Sequence, residues 1–593
     1  MCGILGTFNC RGNALALQIA AISHRGPDGA GEWRSSQGHC WMGHSRLSII
    51  ELSDAGTQPM TSASGRTILV FNGEIYNHLE LRSKVSGISW RGHSDSETLL
   101  ELWERYGEEC LAHLRGMFAF AVYDTLSDSL HIVRDRLGIK PLFFCRDKES
   151  LSFASEARAL LKGQRPCVDG AALASYLASG HLPSSGKIGD EIEIFPPATL
   201  LRISRDGNLS WKKWWNFPCK GSSASKPVSY ADARTKIRLL VDEAVKEHLL
   251  SDVPVGAFLS GGIDSSIICL SAANHLGSAL HTFCVGFPDA GFDERRIAKL
   301  VAEKAGASHT EIEVGPKECQ QWVVEAVNAL DLPSVDAINT YIVSRAVQQS
   351  GIKVALSGLG GDELFCGYPS CSDVPRLALL RALPKYAAKK LISILPANVR
   401  EKLEGTNEFD PFTLALLRRR WWSDQALREA GLNNAAEWPA APSPFLDDIQ
   451  AISCAEIFGY MEPMLLRDSD QMSMAVSLEI RVPFLDCRLV EYTLNLPGAW
   501  KRGRPPKRLL IDAFADLLPS ECWNRPKQGF SLPMDTWMRG PLHDFCRQGL
   551  SAAAKSLNPA FVERAYHQFK AGKIHWTRVW QIVVLGHYLD CKK

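Results

Sequence analysis

One segment constrains the fold more than any other: an apolar run that passes directly into a glycine-rich turn and then into a helical pattern. Val253–Leu259 is typical of a buried strand, Ser260–Ser266 reads SGGIDSS, and Ile267–Leu276 has helical spacing. Further strands are predicted at Leu280–Phe287, Thr310–Val314 and Lys353–Ser357, and helices at Tyr230–Leu250, Glu294–Ala305, Lys317–Leu330 and Thr340–Ser350. Strands that alternate with helices predict a doubly wound parallel sheet, and the pattern beyond Tyr368 predicts mainly helices.

The first two hundred residues have a different pattern, with short β-rich runs separated by turn residues. The runs are Ile4–Phe8, Cys40–Ile50, Thr67–Phe71, Met117–Tyr123, Leu130–Arg134 and Pro141–Phe144. Asn72-Gly73 and Asp124–Ser129 are typical turn sequences, and helices are predicted at Ser96–Tyr106 and Ala171–Ser179. This half is predicted to form antiparallel sheets.

A change in composition separates the two halves. Residues 216–228, NFPCKGSSASKPV, replace apolar periodicity with Pro, Gly and Ser, as a linker does. At 593 residues the chain is too long for one core. We expect one domain at 2–215, a linker at 216–228 and a second domain at 229–593.

Charge and apolar patterning exclude several classes of protein. The 66 Lys and Arg residues almost cancel the 65 Asp and Glu residues, so no global field attracts nucleic acid or an anionic membrane, although local patches need separate treatment. Neither a membrane span nor a secretory signal is evident, which makes the cytoplasm the expected location. The 17 cysteines lack C-x-x-C spacing and are predicted to be reduced thiols.

Two segments of the chain are locally basic. Arg418–Arg420 with Trp421 and Trp422 is the cluster that would favour a nucleic-acid partner, but helical spacing favours a packed and solvated helix face. Lys501–Arg504 with Lys507 and Arg508 is interpreted as a solvated basic loop, with an anion site as the alternative. We therefore expect no nucleic-acid partner and no membrane partner.

The SGGIDSS turn offers what a phosphate needs. A glycine-rich turn at a helix start directs backbone N–H groups and the positive end of the helix dipole at phosphate oxygens, and Ser260, Ser265 and Ser266 add hydroxyls. Asp264 beside a phosphate calls for a bound Mg²⁺. A second glycine-rich strand exit, Ser357–Glu363, is predicted to face the first across one crevice, with Asp362 as a second metal ligand and a plain capped turn as the alternative.

Cys2 is a candidate nucleophile at the other end of the chain. Once Met1 is removed, the α-amine of Cys2 can act as base for its own thiol. Attack of this thiol on the side-chain amide of a glutamine would produce an oxyanion, to which Asn72 and Gly73 can donate hydrogen bonds. The α-carboxylate of a glutamine substrate suits Arg46, and its α-ammonium suits Glu74 and Asp95, although each residue alone also fits a structural role.

Sequence blocks from both halves follow one another in a recognisable order. They are Met1–Ile4, His24–Asp28, Gly43–Ile49, Phe71–Asn77, Arg134–Leu142, Ser251–Pro254, Ser260–Ser266, Ser357–Phe365, Ser477–Asp486 and Lys527–Phe530. In this order they resemble the glutamine-hydrolysing asparagine synthetases from end to end. The loop SGGIDSS by itself resembles that of the ATP pyrophosphatases, and no GK[ST] of a Walker loop follows it.

The resemblance implies an N-terminal αββα Ntn-hydrolase sandwich, a C-terminal doubly wound adenine nucleotide alpha-hydrolase-like domain with a helical extension, and an ammonia tunnel between them. It implies ATP and Mg²⁺, the substrates glutamine and aspartate, and leaves a homodimer open. The implied site residues are catalytic Cys2, Asn72, Gly73 and Lys527, glutamine-binding Arg46, Glu74 and Asp95, metal-binding Asp264 and Asp362, and ATP-binding Leu259, Ser260, Gly261, Gly262, Asp264, Ser265, Ser266, Val285, Ser357 and Gly358.

One departure leaves the acceptor acid open. The family commonly has an acidic residue after Ser-Gly in the second loop, associated with aspartate and the adenylation step, whereas this chain has Leu359. Cys366 also stands where a glycine is frequent. The alternatives are the same chemistry on another carboxylate, as in antibiotic, peptide or polysaccharide biosynthesis, and a sensor or interaction protein that has kept the fold.

Overall fold

The computed structural model describes residues 2–10, 16–161, 163–184, 186–188, 191–218, 228–286, 294–403, 406, 408–434, 436–442, 444–525 and 532–591. In its N-terminal part the strands are β1 Gly3–Phe8, β2 Gly29–Arg34, β3 Cys40–Arg46, β4 Met60–Thr61, β5 Thr67–Ile75, β6 Gly116–Asp124, β7 Ser129–Arg134, β8 Phe143–Asp147, β9 Ser150–Ala154, β10 Lys187–Ile188, β11 Ile192–Ile194, β12 Thr199–Ser204 and β13 Leu209–Lys213. The helices are α1 Ala16–Ala21, α2 His78–Ser83, α3 Asp95–Tyr106, α4 Ala157–Leu161 and α5 Gly170–Ser179.

These strands form two stacked antiparallel sheets, in the orders β10-β11-β8-β9-β1-β3-β2 and β13-β12-β7-β6-β5-β4. Side chains alternate across β5, because successive residues of a strand point to opposite faces. Ile68 and Val70 belong to the core between the sheets, and Leu69 and Phe71 pack under α3. Helices α4 and α5 cover the outer face of the other sheet. The predicted αββα sandwich is therefore confirmed.

The predicted turn at Asn72-Gly73 is wrong. Both residues lie inside β5, where Asn72 pairs with Ala119 and Gly73 with Phe118 of β6. The strand continues through the Asn-Gly pair because β6 supplies a full-length antiparallel partner, so tertiary pairing overrides the local turn preference. The turn at Asp124–Ser129 is confirmed, since it joins β6 to β7.

The C-terminal part contains a parallel sheet with helices around it. Its strands are β14 Val255–Phe258, β15 His281–Gly286, β16 Ser308–Glu313, β17 Val354–Leu356 and β18 Glu479–Arg481. The α-helices are α6 Tyr230–His248, α7 Ile263–Leu276, α8 Arg295–Ala305, α9 Pro316–Ala329, α10 Ala337–Gln348, α11 Gly361–Phe365, α12 Ser370–Leu377, α13 Lys385–Ser393, α14 Ala397–Leu403, α15 Pro411–Arg418, α16 Asp424–Glu429, α17 Asp448–Glu456, α18 Arg467–Met474, α19 Cys487–Leu494, α20 Gly498–Lys501, α21 Arg508–Ala513, α22 Met534–Arg539, α23 His543–Ala553, α24 Pro559–Lys570 and α25 Trp576–Asp590, with a π-helix at Ile457–Leu466.

The strand order of this sheet is β16-β15-β14-β17-β18, and each neighbouring pair is parallel. The order reverses between β14 and β17, so the loops that follow these two strands open on opposite sides of one crevice. The predicted doubly wound sheet is confirmed. Strand β18 was not predicted, because its residues Glu479, Ile480 and Arg481 do not form the apolar run that is typical of a buried parallel strand.

Further predictions concern the Arg418–Trp422 cluster, the linker, the cysteines and membrane spans. Arg419 to Trp422 lie beyond the end of α15, so the predicted helix face is wrong for them. Of the predicted linker 216–228, residues 219–227 lie outside the described residues. No disulfide joins two of the described cysteines, in agreement with the prediction of reduced thiols. None of the described helices combines the length and the apolar character of a membrane span.

Candidate functional site

Cys2 stands at the entrance to β1, beside the middle of β5 in the facing sheet. Its backbone N–H donates to Asn72 Oδ1 at 3.1 Å, and its Sγ lies 3.8 Å from the carbonyl oxygen of Leu47. Arg25 Nε donates to the Cys2 carbonyl at 3.1 Å. Burial raises the pKa of the Cys2 thiol. A base is therefore needed to form the thiolate, and the α-amine of residue 2 is the group that covalent geometry places nearest.

Asn72 and Gly73 lie within β5, where Asn72 Oδ1 accepts from the backbone N–H of Cys2. Asn72 is fully buried, and its Nδ2 has no hydrogen-bond partner among the described residues. A side chain at Gly73 would collide with the carbonyl oxygen of Met117 on β6, at a φ of 155°. Glycine is therefore required there, and the strand pairing fixes both residues beside Cys2.

The candidate glutamine-binding carboxylates Glu74 and Asp95 are both buried. Asp95 begins α3, and its Oδ2 accepts from the N–H of Ile75 at 2.9 Å while its Oδ1 accepts from Ser96 N–H at 2.8 Å. Burial raises the pKa of Asp95 to about 6 and raises the pKa of Glu74 as well. A cationic group of a ligand would relieve this cost, which is the electrostatic condition for binding an α-ammonium.

The C-terminal domain contributes to this pocket. Arg481 of β18, fully buried, places Nη2 3.1 Å from Glu74 Oε1 and donates from Nε to Glu479 Oε1 at 2.6 Å. Glu479 is close enough to Cys2 to raise the pKa of its thiol. Sequence reasoning placed Glu479 and Arg481 in a matching block without giving them a role. Their positions show that the pocket around Cys2 is completed across the domain boundary.

Arg46 ends β3, and its guanidinium is bonded to the loop that follows. Nη1 donates to the Ser53 carbonyl at 2.9 Å, and Nη2 donates to the Glu51 carbonyl. These bonds hold the 47–53 loop, whose Leu47 carbonyl faces the Cys2 thiol. Arg46 is therefore fixed beside the nucleophile, with further N–H donors on the same planar group.

The second candidate site lies where the parallel sheet reverses its strand order. Leu259 and Ser260 follow β14, Gly261 has a φ of 70°, and Ile263 begins α7. Ser260 Oγ lies 3.0 Å from Ser265 Oγ. Val285 lies near the end of the neighbouring β15. The N-terminus of α7, a helix of 14 residues, thus faces the crevice with its backbone donors, as phosphate binding requires.

The loop after β17 touches this helix start. A Cβ on Gly358 would lie 2.8 Å from both Asp264 Cβ and Ser265 N. Ser357 N donates to the Arg481 carbonyl at 2.8 Å, which ties the loop to β18. The prediction that the two glycine-rich loops share one crevice is confirmed by this contact. Leu359, half-buried, follows directly.

Asp264 and Asp362, the two candidate metal ligands, converge on a buried lysine. Lys507 Nζ forms ion pairs with Asp264 and, at 2.6 Å, with Asp362 Oδ1. The two carboxylates raise the pKa of Lys507 against the effect of burial. The interpretation of 501–508 as a solvated loop is therefore wrong for Lys507 and for Lys501, which is buried and donates to the Thr493 carbonyl at 3.1 Å.

The donor set at this point suits a hard cation that also binds phosphate. Two aspartates meet at Lys507, and in the described ranges no group of three or more His, Cys, Asp or Glu residues converges to hold a metal. Magnesium commonly takes one or two carboxylates and completes its shell with phosphate oxygens and water. Asp264 and Asp362 therefore fit a Mg²⁺ that arrives with a nucleotide.

The remaining predicted residues of this site are Ser266 and Lys527. The Ser266 side chain is fully buried and its Oγ lies 3.5 Å from Cys522 Sγ, so the prediction that its hydroxyl reaches a phosphate disagrees with the structure. Ser266 is the fourth residue of α7, where the helical turn directs its side chain to the core. Lys527 lies outside the described residues.

Buried charges continue across the boundary between the two halves. Arg25 pairs with Glu156 at 2.9 Å and with Asp470 of α18 at 2.7 Å, and Lys140 lies 3.7 Å from the same Asp470. Burial lowers the pKa of Lys140. Removing one partner of a buried ion pair leaves an uncompensated charge and destabilises the folded state. This network therefore holds the two halves in one relative position.

The fold and these two sites define a glutamine-amidotransferase-like Ntn sandwich joined to a nucleotide-binding parallel sheet. The family model described as "Glutamine amidotransferase domain" matches residues 1–215, and the model described as "Asparagine synthase" matches residues 236–590. The chain belongs to the asparagine synthase family.

Three curated relatives illustrate the range of the family. The chain is 31% identical to "Asparagine synthetase [glutamine-hydrolyzing] 1" of Bacillus subtilis, over 95% of this chain and 92% of the relative. It is 31% identical to "Asparagine synthetase B [glutamine-hydrolyzing]" of Escherichia coli, over 66% of this chain and 69% of the relative. It is 27% identical to "Amidase chry2" of Gibberella zeae, over 89% of this chain and 86% of that protein.

Proposed function

We propose that the protein is a glutamine-hydrolysing asparagine synthetase, which converts aspartate, glutamine, ATP and water to asparagine, glutamate, AMP and diphosphate. The observation that carries the proposal is the pairing of two sites in one chain. Cys2 lies beside Asn72, whose Nδ2 has no hydrogen-bond partner in the described part of the chain, in one domain, and two glycine-rich loops meet at Asp264 and Gly358 in the other. The relatives from Bacillus subtilis and Escherichia coli carry the corresponding name.

The first half-reaction is assigned to the N-terminal domain, residues 2–215. After removal of Met1, the Cys2 thiol gives its proton to the Cys2 α-amine and the sulfur attacks the side-chain amide of glutamine. Asn72 Nδ2 and the Gly73 N–H stabilise the oxyanion. The C–N bond then breaks, ammonia leaves with the proton, and water hydrolyses the thioester to glutamate.

Glutamine recognition is assigned to three charged groups around Cys2. Arg46 binds the α-carboxylate through its planar guanidinium. Glu74 and Asp95 bind the α-ammonium. Burial raises the pKa values of both carboxyls, and a cationic ligand would stabilise their ionised forms. Arg481 sets the position of Glu74 from the other domain, since the two form a buried ion pair.

The second half-reaction is assigned to the C-terminal domain, residues 229–593, with 216–228 as the linker. The acceptor carboxylate attacks the α-phosphorus of ATP and diphosphate leaves; ammonia then attacks the acyl-adenylate and AMP leaves. Leu259–Ser265, Val285, Ser357 and Gly358 surround the nucleotide, and Lys527 supports the adenylation step. Mg²⁺ held by Asp264 and Asp362 would neutralise phosphate charge.

Ammonia must pass between the sites, and a small cavity marks a route. A space of about 20 Å³ at the domain boundary is lined by Tyr76, Leu137 and Ile139 on one side and by His248, Leu485 and Val490 on the other. A volume of about 10–15 Å³ is enough for one water molecule, and ammonia is of similar size. Leu485 also packs against Gly360 of the second loop, so the cavity adjoins the crevice.

A second candidate function is the same chemistry on another carboxylic acid. It is favoured by Leu359, which gives the second loop an apolar side chain where the resemblance implies an acidic one. The relative named "Amidase chry2" is consistent with such a change. We place the reaction in the cytoplasm and leave a homodimer as a further proposal.

A product assay separates the two candidates. Purified protein with Met1 removed is incubated with glutamine, ATP, Mg²⁺ and a panel of acids, and the products are measured by liquid chromatography and mass spectrometry. We expect asparagine, AMP and diphosphate. Diphosphate release that aspartate does not stimulate, but another acid does, selects the second candidate. ADP and phosphate as products would overturn the adenylation mechanism, and absence of glutamine hydrolysis would overturn the enzyme assignment.

A further inference from the structure

A basic and apolar surface lies on the helical segment that follows the second loop. We call it the basic ridge, defined as the exposed residues between Arg376 and Arg400. It includes the end of α12, a short 3₁₀ helix at Ala378–Ala382, and α13. Its large apolar side chains are more exposed than is usual, with Leu379 at 70%, Tyr386 at 80% and Ile394 at 76%.

The exposed apolar residues are concentrated there. Among the described residues, 12 large hydrophobic side chains are classed as exposed. Five of them belong to the basic ridge: Leu379, Leu383, Tyr386, Leu391 and Ile394. Single exposed apolar residues need no explanation, but a cluster of them on one short segment indicates a surface that meets another apolar phase.

The charges of the same segment have a single sign. Residues 376–400 contain six basic residues and no Asp or Glu. The basic residues are Arg376, Arg381, Lys385, Lys389, Lys390 and Arg400. Arg381 pairs with Asp448 of α17, whereas Lys385, Lys389 and Lys390 form no ion pair with any described residue. The chain as a whole carries a net charge of +1, so this local excess is compensated elsewhere.

The ridge is anchored to the domain. Val374, Ala378, Ala388 and Ile392 are buried in the core that also contains the sheet strands. In α13 the buried Ala388 and Ile392 lie four residues apart on one side, while Lys390 and Ile394, the C-cap residue that follows the helix, lie four residues apart on another. The exposed side chains of α13 are thus held on a helix whose opposite side packs into the core.

The basic cluster at Arg418–Arg420 illustrates the contacts of arginines that have a structural role. Arg418 pairs with Asp373 at 2.8 Å, Arg419 pairs with Glu456 at 2.7 Å, and Arg420 pairs with Asp424. The Arg419 guanidinium also stacks on Tyr460, 3.7 Å from the ring centroid. The charges of Arg418–Arg420 are therefore paired within the protein, in contrast to those of the α13 lysines.

We infer that the basic ridge docks the protein on the surface of an anionic lipid bilayer. Leu, Ile and Tyr side chains flanked by Lys and Arg match an interface that has acyl chains below and phosphate groups above, and an amphipathic helix lying in the interface plane presents both. A protein partner would match the apolar residues, but a bilayer also accounts for the unpaired cations. The interaction is peripheral and revises the expectation that the protein has no membrane partner. It is independent of which acid the enzyme amidates.

Co-sedimentation of the full-length protein with vesicles tests the inference. Vesicles of phosphatidylcholine alone are compared with vesicles that also contain phosphatidylglycerol, at low and high salt. We expect binding to the anionic vesicles, weakened by salt because surface charge is screened. The variants are K385E/K389E/K390E and L391S/I394S. Each is expected to lower the fraction bound by about tenfold or more, given the strength of single basic contacts with an anionic surface.

Matched controls carry the same changes at exposed positions elsewhere. K213E/K236E/K317E changes the net charge equally, and L126S/L239S removes two exposed leucines. Both should bind like the unmodified protein. Unchanged thermal unfolding and glutamine hydrolysis show that the ridge variants remain folded. Failure of the unmodified protein to bind anionic vesicles at low salt, or equal losses in the control variants, would overturn the inference. The inference would also be overturned if the ridge variants bound vesicles like the unmodified protein but had a changed sedimentation coefficient or a changed retention on RNA.

Discussion

The two candidate sites are built in different ways. The site around Cys2 is made of strand residues, and the register of β5 with β6 places Asn72 and Gly73 beside the nucleophile. The site around Asp264 is made of the loops that follow two neighbouring parallel strands, and those loops touch at Gly358. Sheet pairing therefore fixes the first site, whereas the second depends on how two loops are held.

The electrostatic environments of the two sites also differ. Glu74 and Asp95 are buried carboxyls whose pKa values burial raises, so the first site gains when a ligand brings a positive charge. Asp264 and Asp362 already share the ammonium of Lys507. Glu74 in the first site already pairs with Arg481, yet its pKa stays raised, as does that of Asp95, so this site still favours a cationic ligand. The second site contains a lysine between its two carboxylates that a metal would have to displace or join.

The largest expected effect comes from removing the nucleophile, because it separates the two sites completely. We expect Cys2→Ala to lower glutamine hydrolysis by at least about a thousandfold, since the covalent route is lost. Amide formation from ammonium salts should continue, because the crevice around Asp264 is untouched. Cys10→Ala is the matched control and should hydrolyse glutamine normally. Loss of ammonia-dependent synthesis in Cys2→Ala would contradict the division into two sites.

The second prediction concerns the internal cation. Lys507→Met leaves two carboxylates facing each other, and breaking a buried charge pair costs about 3 kcal/mol of unfolding free energy. Denaturant unfolding should show this loss, and added Mg²⁺ should stabilise the variant more than the unmodified protein because the metal takes the place of the ammonium.

The same variant should lower adenylation, measured as diphosphate release, by about a hundredfold through lost charge stabilisation in the crevice. Glutamine hydrolysis should stay unchanged, as the first site does not contain Lys507. Arg508→Met, at an exposed neighbouring position, is the control. If Mg²⁺ stabilises Lys507→Met and the unmodified protein equally, Asp264 and Asp362 do not form the metal site.

The third prediction uses the pKa of Asp95. The folded-state pKa is about 6 against an ordinary value of 3.8, so Asp95 becomes ionised as pH rises through about 6. If the carboxylate binds the α-ammonium, the KM for glutamine should fall as pH is raised from about 5 to about 7. Asp95→Asn should raise the KM by about tenfold and remove this pH dependence, since a charged hydrogen bond is lost.

The stability of Asp95 variants gives an independent check. Because the folded-state pKa is raised, the contribution of Asp95 to stability is present below about pH 4 and is lost as pH rises through about 6. The unfolding free energy of Asp95→Asn should lack this decline. Asp147→Asn, at an exposed position, should keep it. A glutamine KM that stays flat with pH in the unmodified protein would remove Asp95 from the binding site.

Most of the fold could be predicted from the sequence. The alternation of strands and helices after residue 253 defined the parallel sheet, because the periods of the two elements differ and Gly-rich turns separate them. The start of α7 lay four residues earlier than predicted, since Ile263 to Ser266 belong both to the loop motif and to the first helical turn. The antiparallel half was predicted with the wrong connection at Asn72-Gly73, where pairing with β6 extends the strand.

The candidate site could be predicted less completely. Residues with a recognisable chemistry, such as Cys2 and Asp264, were found. Arg481 and Lys507 were not given a role, because their partners Glu74 and Asp264 are hundreds of residues away in the sequence. A local pattern shows Lys507 as one cation among several in a basic stretch. Burial between two carboxylates is a property of the tertiary structure, and no sequence window contains it.

The smallest predicted effect tests the connection between the two sites. Val490 of α19 lines the cavity of about 20 Å³ at the domain boundary, and Val490→Ile adds one methylene to its wall. An additional methylene in a well-packed region typically costs about 1–3 kcal/mol in strain, so the variant should fold. We expect glutamine hydrolysis to continue at its normal rate while the number of glutamines consumed per amide formed rises by about twofold, because ammonia escapes before reaching the crevice. Val490→Ala enlarges the same cavity and should keep the normal ratio while it lowers the unfolding temperature. A normal ratio in Val490→Ile would mean that ammonia travels by another path, and the two sites would then be joined through a different part of the boundary.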